Sequence, residues 1–315
     1  MSETPRLTLT QLATLVEFGR RGTLAQAADA LGYTPGAVSQ HISALERSVN
    51  AKLVEKVGRQ LKLADAGQVL LRHASAILAA EREAIRAVAS LDDQVAGILT
   101  VGTWGSTAAT LMAPVVRGMA EQYPHVSVRS REVDLDDAAS SVRHGTVDVA
   151  FGLDYVDAPL PRHPNVSMAE LLEEEFAVAV GPGLIEHDSD WVETHELEQL
   201  GWILPPPTSQ YGTAIRSGLR NRGVEPLVLH EVTDTAASLQ LAAAGLGATV
   251  MTPLMRKLNP HLTLRSLRMR TPMTRRVVLL TLSDHEQRAV IAFSDIVTGI
   301  VAELLAAEQS SPPDA

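Results

Sequence analysis

Between residues 23 and 46 the apolar positions fall into two helical stripes separated by a glycine. Leu24, Ala27, Ala28 and Leu31 recur at helical spacing until Gly32 breaks the pattern, and Thr23 stands where an N-cap belongs. Ala27 and Ala28 are small enough for two helices to cross closely there. A second helix opens at Thr34, an N-capping residue, followed by Pro35, which suits the first helical position because its missing N–H has no intrahelical partner to lose. Val38, Ile42 and Leu45 form its buried stripe, leaving Gly36, Ala37, Ser39, Gln40, Ser43 and Arg47 outward.

The pattern then changes period. Residues 53–57 and 61–63 alternate like two short strands around Gly58-Arg59. Residues 66–93 contain no proline and no glycine after Gly67, and Leu70, Ala74, Ile77, Ala84, Val88 and Leu91 run near heptad spacing, interrupted by Glu81. One long amphipathic helix is predicted, too apolar on one face to stand alone. From Gly97 onward strands and helices alternate. Strands are expected at 98–101, 126–132, 147–152, 177–180, 202–204, 228–232, 248–251 and 276–282. Helices are expected at 108–123, 135–144, 213–222, 236–244 and 286–305. Some 220 residues of this texture suit two α/β lobes better than one. The fold class is thus an α+β multidomain chain: a winged helix-turn-helix at 1–64, a linker and dimerisation helix at 65–95, and a two-lobed α/β domain at 97–305. A polar tail at 306–315 is expected to be disordered.

Composition sharpens the reading of each part. Residues 1–62 carry eight Lys and Arg against five acids, a net of +3; the whole chain is −10, which leaves −13 for the rest. Only the first module is therefore suited to phosphate. A helix entering a major groove needs small or hydrogen-bonding side chains at its N-terminal end. Gln40 can pair bidentately with adenine, while Ser39 and Thr34 can reach phosphate or base edges. Arg59 at the strand turn suits the adjacent minor groove, where negative potential is concentrated. The same hairpin also occurs elsewhere as a plain packing unit, with Arg59 a solvated charge.

These residues, in the order LxxAAxxLGYTPGAVSQHIxxLE and followed by a wing and Ala64-Asp65-Ala66-Gly67, resemble the N-terminal module of LysR-type transcriptional regulators. Gly36 stands where Ser or Pro is common in that family, Asn50 where Gly is, Val54 where Phe is, and Ala64-Asp65 where Thr-Pro is. Asp65 is expected to replace the lost threonine as N-cap. The resemblance implies double-stranded DNA as partner, in the form of a promoter inverted repeat. It also implies a homodimer or homotetramer joined through the long helix, and leaves RNA polymerase open as a further partner. It makes the C-terminal half a periplasmic-binding-protein-like effector domain, with lobe I near 97–165 and 265–305 and lobe II near 166–264.

Ligands of open α/β sheets sit beyond the carboxyl ends of strands. The first strand here ends in Thr103, Trp104, Gly105, Ser106 and Thr107 ahead of an Ala-rich helix, so Thr103, Trp104, Ser106 and Thr107 are effector candidates, as well as potential helix caps. On the other lobe a rigid Pro205-Pro206-Pro207 turn presents Thr208, Ser209 and Tyr211, where the resemblance also places effector contacts. Asp134, Asp136, Asp137 and Asp154 follow strand ends too; facing a cleft they would favour a cationic ligand, and otherwise they are solvated caps.

No nucleophile elbow, phosphate loop, dinucleotide fingerprint or HExxH is present, so no catalytic residue, cofactor or metal is expected and the chain does not read as an enzyme. His285 with Asp284 and Glu286 is the tightest histidine cluster, but consecutive residues cannot face one metal together. The absence of cysteine excludes thiol catalysis, disulfides and cysteine-based peroxide sensing. The first residues lack an apolar core region, and no run approaches eighteen apolar residues, so a cytoplasmic protein with no membrane segment is expected. An effector-independent architectural DNA binder is the alternative reading.

Overall fold

The computed structural model describes residues 6–58, 60–89, 95–283 and 287–310. Two compact units divide the chain, Met1–Asp93 in the first and Gln94–Val142 with Val147–Ala315 in the second.

The first unit opens with a helix that the stripe analysis did not include, α1 (Leu9–Arg21). Thr8 and Gln11 close a reciprocal capping box at its start. The hairpin follows as read: α2 (Leu24–Leu31), capped by Thr23 on Gln26 N–H and ended at Gly32 with φ +69°, then α3 (Pro35–Val49). Phe18 of α1 packs on Ala27, Ala28, Val38 and Ile42, which explains the small residues at the crossing. Strands β1 (Val54–Val57) and β2 (Gln60–Leu63) pair antiparallel around Gly58, whose φ of +63° is the left-handed turn that glycine adopts without strain.

The long helix is α4 (Asp65–Ala89), and it corrects one expectation. Asp65 is its first helical residue rather than its cap, so it acts as an acid in the first turn, favourable to the helix dipole. Gly67 is required at this corner, because a Cβ there would lie 2.0 Å from the Leu53 carbonyl oxygen. Ala74 and Leu78 of α4 are buried against Leu12, Leu15 and Leu45. Of the expected stripe, Ile77 and Val88 instead face solvent, as do Val69 and Ile85. Leu91 lies outside the described residues.

In the second unit the main sheet has the order β4-β3-β5-β13-β6. Strands β3 (Gly97–Thr103), β4 (Val126–Glu132) and β5 (Val149–Tyr155) are parallel. The long β6 (Val166–Glu175) and β13 (Thr274–Leu282) run antiparallel to each other, and β13 antiparallel to β5. A second sheet, β11-β7-β12-β8, contains β7 (Ala177–Val180), β8 (Trp191–Val192), β11 (Thr249–Met251) and β12 (Arg265–Met269). The parallel pair β9 (Gly201–Leu204) and β10 (Leu227–Glu231) joins it through a bridge between Trp202 and Ala248.

These sheets shift both expected lobe crossings. Residues 166–175 belong to the first sheet and 265–269 to the second, the reverse of the sequence expectation. The cause is local composition: SMAELLEEE within β6 consists of Ser and good helix formers, and only the ladder to β13 imposes the strand.

Helices cover both sheets. In lobe I, α5 (Gly105–Thr107) runs through a π-helical turn at Ala108–Met112 into α6 (Ala113–Gln122), and a 3-10 turn at Leu135–Asp137 leads to α7 (Ala138–Arg143). Lobe II carries α8 (Thr194–Gln199), α9 (Gln210–Arg220), α10 (Thr235–Ala243) and α11 (Pro253–Arg256). The last helix, α12 (Arg288–Ser310), packs on α6. Residues 306–310, expected in a disordered tail, are therefore helical, and 311–315 lie outside the described residues. By length and composition Arg288–Ala306 could cross a membrane, contrary to the expectation that no segment could. Its Val290, Phe293, Val297 and Val301 are instead buried in the core, so its apolarity is used within the domain.

Candidate functional site

Two sites emerge, one in each unit. In the first, the Thr34 hydroxyl accepts from Ala37 N–H at 3.2 Å and holds the start of α3, with Pro35 at the first helical position. Val38, Ile42 and Leu45 are buried, which turns the other face out. Thr34, Pro35, Gly36, Ser39, Gln40 and Arg47 are exposed, and Ala37 and Ser43 half-buried. A Cβ at Gly36 would have only the Thr34 hydroxyl within 4 Å, so the backbone here lies open to a partner. His41 holds the helix from behind: its Nδ1 shares a hydrogen bond with Thr14 Oγ1 at 2.9 Å, and Tyr33 meets its ring edge-on at 5.3 Å. At the far end Glu46 accepts from Leu53 N–H at 3.0 Å and from Lys52 at 3.1 Å, tying α3 to the wing. Burial opposes the Glu46 charge, but these donors outweigh it and hold the carboxyl below its ordinary value. Arg59 lies outside the described residues, as do Asp284, His285 and Glu286.

The second site is a cleft of about 400 Å³ between the lobes of the C-terminal unit. Trp104 and Ser106 line it from lobe I, and Ser209 and Tyr211 from lobe II. Ser209 caps α9, accepting from Gly212 N–H at 3.0 Å and donating to the Pro206 carbonyl at 2.9 Å. Gly212 permits this tight turn, since a Cβ would lie 2.0 Å from Pro206 O. Tyr211 stacks on Tyr155 with ring centroids 6.0 Å apart. Burial pushes the Tyr211 phenol up to about 12 against the pull of Arg275, so it stays a neutral donor at physiological pH.

Three sequence candidates do not line the cleft. Thr103 and Thr107 are buried beneath the strand–helix turn, their hydroxyls without partners, because the turn places Trp104 and Ser106 outward instead. Thr208 sits exposed at the tip of the proline turn. Among the acids, Asp134 and Asp136 reach the cleft and Asp137 and Asp154 do not. Asp154 is buried, accepts from Leu160 N–H at 2.7 Å and pairs with Arg162 at 3.4 Å. Asp136 spans the lobes, its carboxylate accepting from Gln210 N–H at 3.1 Å. A second clasp joins Asp157 to Arg222 at 3.0 Å and to Asn221 at 2.8 Å.

The sequence reading missed the cleft's one guanidinium. Arg275 of β13 is 1% exposed, and its Nε and Nη2 donate to Glu174 Oε2 at 2.9 and 2.7 Å. Nη2 also reaches Thr252 Oγ1 at 2.8 Å, while Glu174 Oε1 accepts from Leu254 N–H at 2.8 Å. Burial works against this charge, but Glu174 and the phenols of Tyr155 and Tyr211 keep it firmly protonated. The expected strand began at 276; extended back, it sets Arg275 on the same face as Val277 and Leu279, an arginine on an apolar face, which is the signal that would have found it.

Family models match both units: "Bacterial regulatory helix-turn-helix protein, lysR family" over residues 9–68 and "LysR substrate binding domain" over residues 92–300. The chain belongs to the LysR family. It is a transcriptional regulator with a DNA-binding helix-turn-helix and an effector-binding domain, and not an enzyme. Among curated LysR-type relatives, the HTH-type transcriptional regulator CfxR of Cupriavidus necator is 27% identical, covering 78% of this chain and 75% of CfxR. A probable RuBisCO transcriptional regulator of Chlorokybus atmophyticus is 26% identical, covering 80% and 82%. The fold matches CbnR, a LysR family transcriptional regulator, with TM-score 0.66, 20% identity and coverage of 92% and 98%. It also matches full-length OxyR from Pseudomonas aeruginosa with TM-score 0.68, 18% identity and coverage of 93% and 95%.

Proposed function

We propose that this LysR-type regulator reads a promoter inverted repeat as a cytoplasmic homodimer or homotetramer and responds to a small molecule held in the interlobe cleft. The observation that carries the DNA half is the outward face of α3, polar and uncrowded from Thr34 to Arg47 over a buried Val38, Ile42 and Leu45. In this reading Gln40 and Ser39 meet base edges, Thr34, Pro35, Gly36, Ala37 and Ser43 let the helix approach, and Arg47 and Arg59 meet backbone or minor groove. The exposed Val69, Ile77, Ile85 and Val88 of α4 support self-association, since an apolar helix face of this kind needs a partner. Trp104, Ser106, Ser209 and Tyr211 are the effector contacts, and RNA polymerase is the further partner.

A ligand acts here only by binding one lobe arrangement better than another. The Asp136–Gln210 and Asp157–Arg222 clasps are the contacts such a change would remake. The deciding experiment captures genomic DNA fragments on the purified chain at several salt concentrations, with wild type and Gln40→Ala in parallel. Wild type enriches a short inverted repeat, and Gln40→Ala binds that site about 1–3 kcal/mol more weakly. Uniform, steeply salt-dependent recovery by both proteins would favour an effector-independent architectural binder instead.

A further inference from the structure

Within the cleft, Arg275 is paired on two nitrogens and open on the third. Its Nη1 has no hydrogen-bond partner, although the residue is 1% exposed. A buried guanidinium N–H without an acceptor is costly, so an acceptor carried by a ligand would be held strongly. The floor is nonetheless neutral overall, because Glu174 already balances Arg275 at 2.7 Å. The rim has the opposite character: Glu132, Asp134, Asp136 and Asp234 line it, and the lining contains no lysine and no arginine besides Arg275. A ligand with two anionic groups would meet those carboxylates with no cation to receive its second charge. A purely cationic ligand would leave Nη1 unanswered.

Resting on the reading of this cleft as the effector site, we propose that the effector is amphoteric, with one carboxylate-type oxyanion docked on Arg275 Nη1 and one cationic nitrogen facing the rim acids. Its body lies against Trp104, Leu153 and Met255, which supply the apolar lining between the two charged ends. Asp134 and Asp234 are the rim carboxylates best placed to receive the cation. Both accept only from backbone N–H groups, as the caps of Leu135–Asp137 and of α10, and keep capacity for a further donor.

The test is thermal melting of the full-length chain with the protein amino acids, each compared with its decarboxylated amine and its deaminated acid. L-phenylalanine, phenethylamine and 3-phenylpropionate form one such set. At least one amino acid should raise the melting temperature by roughly 2 °C or more at millimolar concentration, with neither half-molecule doing so. Asp134→Asn with Asp234→Asn keeps both caps and should weaken that binding about tenfold, one lost charge contact being worth that much. Arg275→Met with Glu174→Met, which removes the buried pair together, should abolish it. Failure of every amino acid to stabilise the protein, or equal stabilisation by an amine or acid alone, overturns the proposal.

Ala236→Trp, which fills the cleft mouth, separates this failure from that of the cleft reading. If compounds of another charge class stabilise wild type but not Ala236→Trp, the cleft is the effector site and the amphoteric assignment is wrong. If Ala236→Trp responds like wild type to every compound that binds, the cleft reading falls as well.

Discussion

The reading helix and the effector cleft are built by opposite means. Everything that shapes the outward face of α3 lies within a few turns: Thr34 caps it, Pro35 starts it, and Val38, Ile42 and Leu45 orient it. The cleft is assembled from distant segments. Arg275 meets Glu174, 101 positions away, and Asp136 meets Gln210, 74 positions away. A site made from one helix tolerates change at its exposed positions, because its geometry belongs to the backbone. A site made from buried, mutually paired side chains should fail as a unit when one member is removed.

Substitutions in the two regions can break or sharpen that contrast. Glu174→Gln leaves the buried Arg275 charge uncompensated and should cost the full-length chain about 3–5 kcal/mol in chemical denaturation. A loss under 1 kcal/mol would show that the pair is not a structural unit. Next is a backbone effect in the N-terminal unit. Gly67→Ala drives a Cβ onto the Leu53 carbonyl and should cost about 2–3 kcal/mol, with the transition assigned to α4 and the wing by hydrogen exchange.

Glu46 is the N-terminal counterpart of Glu174, but with access to water. Glu46→Gln should cost about 1 kcal/mol at neutral pH, since the wing N–H groups keep a weaker acceptor. The folded Glu46 carboxyl titrates below its ordinary 4.5, so its contribution is complete above that pH and is lost as pH falls through the lower folded value. Wild type and Glu46→Gln should therefore converge in stability toward acid, and a gap that stays constant with pH would assign the effect to packing. The smallest effect is expected at Gly36→Ser, where the new Cβ meets open space. Stability should change by less than about 0.5 kcal/mol while the preferred DNA sequence shifts, as read by fragment selection. An unchanged preference would mean that α3 does not approach bases at this point.

Legibility follows the same division. The hairpin, its caps and the wing were readable because capping, helical spacing and the glycine turn act over three to five residues. Asp65 was misjudged by one position, the ordinary uncertainty of a helix end. Ile77 and Val88 of α4 were grouped with Leu70 and Ala74, although the fold buries only the first part of that helix. In the cleft, Trp104, Ser106, Ser209 and Tyr211 were found from strand ends and turn chemistry, whereas Thr103, Thr107 and Thr208 needed knowledge of which way each turn faces.

The amino-acid order alone thus determined the winged helix-turn-helix, the polar face of its second helix and the alternation of strands and helices that makes two lobes. Those features depend on local backbone preference and on periodicity, both written in consecutive residues. Only the tertiary structure decided that a Glu-rich, helix-favouring stretch becomes the strand β6, and that β6 and β13 bring Glu174 and Arg275 together at the cleft floor. Strand pairing between segments a hundred residues apart is set by what the whole sheet buries, and no local pattern carries that information.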